Sequence, residues 1–295
     1  MMVVVLVGVL LLLLALEFPV AIAMTGASVA YLLLLGDIPL VVVAQRVTVG
    51  VDSFVLLAIP FFFLAGELMN RGGITQRLVD LAQALVGGIR GGLGHVTVVT
   101  NMIMAGMSGS AVADATGTGT VLIPAMERAG YPKTFSAALV GAASTIGPVI
   151  PPSIPFVIYG GITGVSVGRL FLGGVVPGVL MGIVLMAAVY VVAKRRGYRA
   201  EGWPSLSDAM TSIRRAIPVM LFPFIILGGI FSGIVTPTEA AVVAVVYAVL
   251  LSMLFYRELS PAELVRVLTV VAGNTAKITF IIASAGLYGW LLARE

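Results

Sequence analysis

Gly106-Met-Ser-Gly-Ser-Ala-Val-Ala-Asp-Ala-Thr-Gly-Thr-Gly-Thr120 is the stretch on which the fold turns. An apolar run, 96–107, leads into it and another, 121–126, leads out. Between them lie small residues and hydroxyls, with glycines at 106, 109, 117 and 119. Such a segment makes a poor continuous lipid-facing helix. Glycine frays it, and Ser and Thr compete for its backbone hydrogen bonds. Open backbone in hydrocarbon is tolerated only where protein buries it or a wet cavity meets it. A hairpin tip satisfies that condition. It frees carbonyls at one half-helix end and amides at the other, the groups that hold a cation or an anion. The only acid in the stretch is Asp114, costly at membrane depth and therefore a functional candidate. The plainer alternative is a packed helix whose hydroxyls bond to carbonyls one turn back.

The rest of the chain sets that stretch in a membrane. Of the 295 residues 60% are apolar and 10% charged, against roughly 25% charged in an ordinary soluble domain. No soluble fold of this size hides so much apolar surface. The absence of cysteine excludes disulfides, thiolate metal sites and iron–sulfur clusters. A single histidine, His95, excludes a zinc site built from histidine clusters. The net charge of +4 does not point to nucleic acid, because six of the 17 Lys and Arg fall in one short loop and others flank apolar runs. Topology determinants are distributed in that way.

Candidate spans are 2–16, 18–35, 53–70, 134–163, 170–193, 216–234, 237–256 and 273–292. The first lacks the basic start of a signal peptide and is read as retained. Runs at 38–49, 75–88 and 259–271 carry regular charges and are expected to be interfacial helices. The loop 194–215 holds Lys194, Arg195, Arg196, Arg199, Arg214 and Arg215 against Glu201 and Asp208, which makes it cytoplasmic. Counting spans back from it puts 71–93 and 128–133 on the same side. Both ends of 94–128 therefore share one face, as a re-entrant hairpin requires, and the N-terminus is expected outside.

Val47–Met69 resembles Val270–Leu292 at an offset of 223, with Val47, Gly50, Leu64 and Gly66 matching Val270, Gly273, Leu287 and Gly289. The span count runs the two copies in opposite directions, the inverted-repeat pattern of secondary transporters. Chance alignment of apolar segments is the alternative. On this count the second copy stops at Glu295, before any equivalent of 94–163, and the expectation is a chain truncated in its second half. The expected units are 1–93 (scaffold spans and interfacial helices), 94–168 (transport hairpin and broken helix), 169–215 (a span and the basic loop) and 216–295 (the start of the second repeat).

A second unusual element is Gly141-Ala-Ala-Ser-Thr-Ile-Gly-Pro-Val-Ile-Pro-Pro-Ser-Ile-Pro155. Pro148, Pro151, Pro152 and Pro155 each remove a backbone donor and push the preceding residue out of the helical region. A helix entering at 134 must unwind near 146–153 and restart. Carbonyls around Gly147 and Ile150 then lose their partners and suit a hard cation such as sodium, with Asp114 offsetting its charge. A proline kink that only shapes packing is the alternative; four prolines in eight residues fit that poorly.

With these two elements and the later GIVTPTEAAVVAVVYA, the chain resembles the large membrane subunit of tripartite ATP-independent periplasmic (TRAP) transporters, the DctM/SiaM type. The resemblance covers essentially the whole chain. It implies an all-α polytopic, inverted-repeat, elevator-type secondary transporter of the cytoplasmic (inner) membrane that imports carboxylates on a sodium gradient. Implied partners are a periplasmic solute-binding protein and a small four-helix membrane subunit (DctQ/SiaQ type), with no cofactor beyond sodium. By the same resemblance, Ser108, Ser110, Asp114, Gly147, Ile150 and Pro152 are sodium-site candidates, and Ser144, Thr145 and Gly109 substrate-site candidates. The family's second hairpin and broken helix have no counterpart before Glu295.

Other polar residues read as less specific. Lys277 is expected to snorkel to the interface, His95 to be a solvated interfacial residue, and Glu67 and Asn101 to be packing or rim residues. Arg169 reads as an anchor, and Glu17 and Glu239 as acids at helix starts. A channel or non-transporting scaffold remains an alternative. An intramembrane hydrolase lacks its paired acid, nearby histidine or metal cluster.

Overall fold

The computed structural model describes residues 2–198, 200 and 202–294, so Arg199 and Glu201 of the basic loop lie outside the described residues. Every regular element among them is helical. Helices α1 (Met2–Ala15) and α2 (Val20–Leu35) fold back on each other through a turn at Glu17, whose φ is 64°. Glu17 thus serves the turn rather than a helix start. A surface helix α3 (Val41–Val49) and a 3-10 turn (Phe54–Leu57) lead into α4 (Ala58–Arg71) and α5 (Ile74–Val86). The pair α6 (Gly92–Ser108) and α7 (Ala111–Arg128) is followed by α8 (Lys133–Ser144) and α9 (Ile154–Thr163). The chain closes with α10 (Val167–Arg196), α11 (Leu206–Phe231), α12 (Pro237–Val249), a π turn (Leu250–Phe255) and α13 (Pro261–Arg294).

Local chemistry explains many of these boundaries. Thr236 and Glu239 form a reciprocal capping box at α12, with Pro237 in the first turn where its missing N–H costs nothing. Ser166 and Ser205 cap α10 and α11 by accepting from the Arg169 and Asp208 N–H groups. Among the described residues, five segments are long and apolar enough to cross a membrane: Phe54–Arg71, Val167–Arg196, Leu206–Phe231, Pro237–Phe255 and Pro261–Arg294. One expectation changes here. The interfacial helix at 259–271 and the span at 273–292 are a single 34-residue helix, α13. A lone Gly273 costs only about 1 kcal/mol mid-helix, and no proline follows Pro261 to break the ladder.

α4 sits at the centre. Its buried Ala58, Ile59, Phe62, Ala65 and Leu68 meet Ala240, Ala241, Ala244 and Ala248, the small-residue face of α12. Small residues let two helix backbones approach, which is how apolar spans gain packing when lipid removes the hydrophobic drive. Thr238 Oγ1 donates to the Phe54 carbonyl (3.1 Å) and Ser252 Oγ to that of Leu68 (3.3 Å). Both pairs are 184 residues apart, so α4 and the α12 segment run in the same direction. α13 runs the opposite way: Gly50 before α4 lies against Ala283 and Gly286, while Arg46 stacks on Trp290 at 4.5 Å.

The hairpin is antiparallel along its length. Thr97 approaches Met126, Asn101 exchanges hydrogen bonds with Thr118, and Ser108 bonds Asp114, so paired numbers sum nearly to a constant. Both feet rest at one end of α10. Gly91 and Gly94 lie against Ala193 and Val189, and Tyr131 packs on Tyr198 at 4.3 Å between ring centroids. Segment 94–128 therefore enters and leaves on one face. Arg90→Cys and Arg128→Cys, in a chain with no cysteine of its own, are each expected to react with an impermeant maleimide from the same side of the membrane. Labelling from opposite sides in intact and inverted vesicles would contradict the hairpin.

Candidate functional site

The turn between α6 and α7 is made by Gly109, in the left-handed region at φ 59°, followed by Ser110 in an extended conformation. Ser110 Oγ accepts from the Ala113 N–H (3.4 Å) and starts α7. One turn later Asp114 is wholly buried. Its Oδ1 accepts from the Ser108 hydroxyl, and its backbone carbonyl accepts from Thr118 Oγ1 at 2.7 Å. Its other carboxylate oxygen, Oδ2, has no hydrogen-bond partner within the protein. A buried carboxylate oxygen left bare is costly, and a cation is the natural group to meet it.

The broken helix supplies the opposite wall. Pro148, Pro151 and Pro152 cannot donate to the carbonyls of Ser144, Gly147 and Pro148 that a continuous helix would satisfy. The chain recovers two of these. Gly147 N–H donates to the Ser144 carbonyl (3.0 Å), and Ser153 Oγ donates to that of Pro148 before capping α9 through the Phe156 N–H. The Pro151–Pro152 bond is cis. The hairpin tip presses into this break. A Cβ on Gly147 would collide with Asp114 Oδ2 and lie 3.3 Å from the Ser110 carbonyl carbon. A Cβ on Gly109 would stand 2.6 Å from the Pro152 carbonyl oxygen.

Ser108, Gly109, Ser110, Asp114, Gly147 and Pro152 are thus gathered at one point where two interrupted helices meet. Ile150 has its side chain and backbone nitrogen against Gly178 of α10. Ser144 is buried with its hydroxyl on the Gly141 carbonyl (2.9 Å), and the exposed Thr145 bonds back to Ala142 (2.7 Å). His95 is buried at the hairpin foot, against the expectation of a solvated side chain, because α5 and the foot of α10 cover that turn. Asn101 is a packing residue, holding the Thr97 carbonyl (2.8 Å) and Thr118 inside the hairpin.

The exposed side of the tip opens on a cavity of about 570 Å³ between α4, α7 and α13. Ser108, Ser110 and Thr116 line it from the hairpin, Glu67, Asn70 and Arg71 from α4, and Asn274 and Lys277 from α13. Lys277, an exposed side chain, stands on the wall of this cavity. The sequence carried a signal for this, since Val271, Asn274 and Ile278 share one helical face with Lys277 at its edge, but an isolated lysine in a span suggests snorkelling first. Asn70 ties α4 to the hairpin, its Nδ2 donating to the Ala113 carbonyl (3.1 Å) while Oδ1 accepts from Thr75 (3.2 Å). Asn70→Ala is expected to destabilise the protein by about 1–2 kcal/mol, read as a melting temperature lower by a few degrees in detergent.

Apolar spans enclosing two interrupted half-helices around a buried acid make this a polytopic membrane permease of the transporter kind. The chain belongs to the DctM component family of tripartite ATP-independent periplasmic transporters, whose family model matches residues 7–295. It is 41% identical over 277 residues to the sialic acid TRAP transporter large permease protein SiaM of Vibrio cholerae, covering 94% of this chain and 65% of that protein. It is 42% identical over 278 residues to the 2,3-diketo-L-gulonate TRAP transporter large permease protein YiaN of Escherichia coli, with the same coverages. Against the C4-dicarboxylate TRAP transporter large permease protein DctM of Pseudomonas aeruginosa it is 44% identical over 244 residues, 83% of this chain and 57% of that one. The chain thus spans less than two thirds of these relatives' length. The matched proteins are named as transporter permeases rather than enzymes, and the hydrolase alternative falls away.

Proposed function

We propose that the chain forms the hairpin-bearing part of a sodium-coupled importer of carboxylates, working by elevator-type alternating access. The single observation that carries this reading is the bare Oδ2 of Asp114, buried where the hairpin tip meets the broken helix. Sodium would bind there among Asp114, Ser108, Ser110 and the backbone of Gly147 and Pro152. Its charge is matched by one carboxylate, and oxygen donors suit a hard ion. Ion binding would order the tip, and the ordered tip would then present Ser110 and Gly109 to the substrate.

The carboxylate class is supported by the relatives' names, since sialic acid, 2,3-diketo-L-gulonate and C4-dicarboxylates are all carboxylates. Family membership also supports the two partners, a periplasmic solute-binding protein and a small four-helix membrane subunit. The basic 194–215 segment supports an orientation with that loop in the cytoplasm and the N-terminus outside. In this reading 94–168 moves as the transport unit, carried past the spans of 1–93 and 216–295. The test is uptake by the complete transporter in proteoliposomes. Carboxylate accumulation should need an inward sodium gradient and the binding protein together; accumulation equal without sodium would refute the coupling.

A further inference from the structure

We infer that the end of α10, the start of α11 and the α5–α6 turn form a docking surface for the headgroup of an anionic phospholipid. Nothing in this inference depends on the sodium or carboxylate reading. Two exposed stripes define the surface. On α10, Leu180, Ile183 and Val191 recur at helical spacing and stay exposed, and Lys194 continues the same face, with Arg195 next to it. On α11, Met210, Ile217 and Leu221 form a second exposed stripe, and Arg214 lies within it, one turn from both Met210 and Ile217. Such stripes face hydrocarbon in a membrane chain, and a long cation near the end of one reaches the level of the headgroup phosphates.

Both helix ends rest on one turn. Ala193 of α10 lies against Gly91, and the Trp203 indole, just ahead of α11, lies against Gly88. Arg90, in the same turn, is exposed. Charge leaves this surface positive. Arg90, Lys194, Arg195 and Arg214 make no ion pair among the described residues. Asp208, the acid in the first turn of α11, is held by the Ser205 hydroxyl at 2.6 Å. Trp203 and Leu206, 62% and 83% exposed, extend apolar surface beyond the cations. An indole beside clustered cations suits the boundary between headgroups and acyl chains. Apolar insertion and positive charge together hold an element to an anionic leaflet. A soluble phosphate would meet only the cations and leave Trp203 and Leu206 in water, so the occupant that fits the whole surface is a lipid.

Trp203 is itself the reporter. The complete transporter is placed in phosphatidylcholine vesicles with rising fractions of brominated phosphatidylglycerol or brominated phosphatidylcholine. The quenching that disappears in Trp203→Phe is the Trp203 signal. Half of that signal should be lost at a mole fraction at least about fivefold lower for the anionic lipid, because a single cation near the surface contributes about that factor. Lys194→Gln, Arg195→Gln and Arg214→Gln combined should bring the two lipids within about twofold, and Arg214→Gln alone should go part of the way. Arg169→Gln, an exposed cation at the opposite end of α10, should leave the preference unchanged. Melting temperatures should stay level in all of these variants, as expected of exposed side chains. Added salt should weaken the preference, while inorganic phosphate at constant ionic strength should not compete. Equal quenching by the two lipids, no Trp203 signal with either because another chain covers this face, or a preference kept by the triple variant overturns the surface. Displacement by inorganic phosphate would overturn the lipid as its occupant.

Discussion

Asp114→Asn in the complete transporter is expected to abolish sodium-dependent uptake while leaving insertion and folding intact. The substitution keeps the side-chain volume and an oxygen to accept from Ser108, and removes only the charge. What it withdraws is the anionic partner of the proposed ion, so apparent sodium affinity should fall by at least about a hundredfold, roughly 2.7 kcal/mol. Stability should move the other way. An ionised carboxylate held at full burial with one bare oxygen opposes folding, and an amide there is cheaper to desolvate. In sodium-free buffer the melting temperature should therefore stay level or rise. The rise that added sodium produces in the parent protein, a linkage effect of binding only the folded state, should vanish. Melting curves with sodium and with choline as the replacing cation measure both effects. A variant that retained the sodium-induced shift would remove Asp114 from the ion site.

Gly147→Ala should be nearly as damaging although it adds a single methyl group. The new Cβ has no free space: it would meet Asp114 Oδ2 and the Ser110 carbonyl carbon, both belonging to the hairpin tip. Either the tip retreats or Asp114 leaves its rotamer, and overpacking of this kind costs about 1–3 kcal/mol. Gly141→Ala on the preceding helix α8 is the matched control. No atom lies within 4 Å of its Cβ position, so alanine there should be neutral or slightly stabilising by its better helix propensity. Uptake at saturating and limiting sodium separates the two variants. Loss in Gly147→Ala that saturating sodium partly rescues, with normal uptake in Gly141→Ala, is the expected pattern. Equal activity in both variants would mean that the tip does not rest on this break.

The breaks in the helices were legible because they are written in local chemistry. Gly109 and Ser110 favour a turn at the tip, and the prolines from 148 to 155 forbid a continuous ladder whatever surrounds them. The shared side of the two hairpin feet was equally legible, since Arg90, Arg128, Lys133 and the 194–196 cluster carry the topology in their charge. Helix continuity at 261–294 was not. Charged residues near its start imitate an interfacial helix; the absence of a later proline permits one rod, and packing of α13 along α2, α3 and α4 accompanies it. The same holds for His95, whose burial depends on helices far away in sequence.

By itself the sequence determined a membrane-embedded all-α chain with two interrupted segments and one deep acid, because apolar content, proline and glycine act through the backbone of each residue and its near neighbours. The tertiary structure alone decided which broken ends touch, that Asp114 keeps one oxygen bare against Gly147, and that Lys277 stands on the wall of a cavity shared with the tip. Those facts depend on which helices cross and how closely. Crossing is set by the fit of small-residue faces such as Ala240–Ala244 on α4, a property of pairs of surfaces that no single stretch of chain contains.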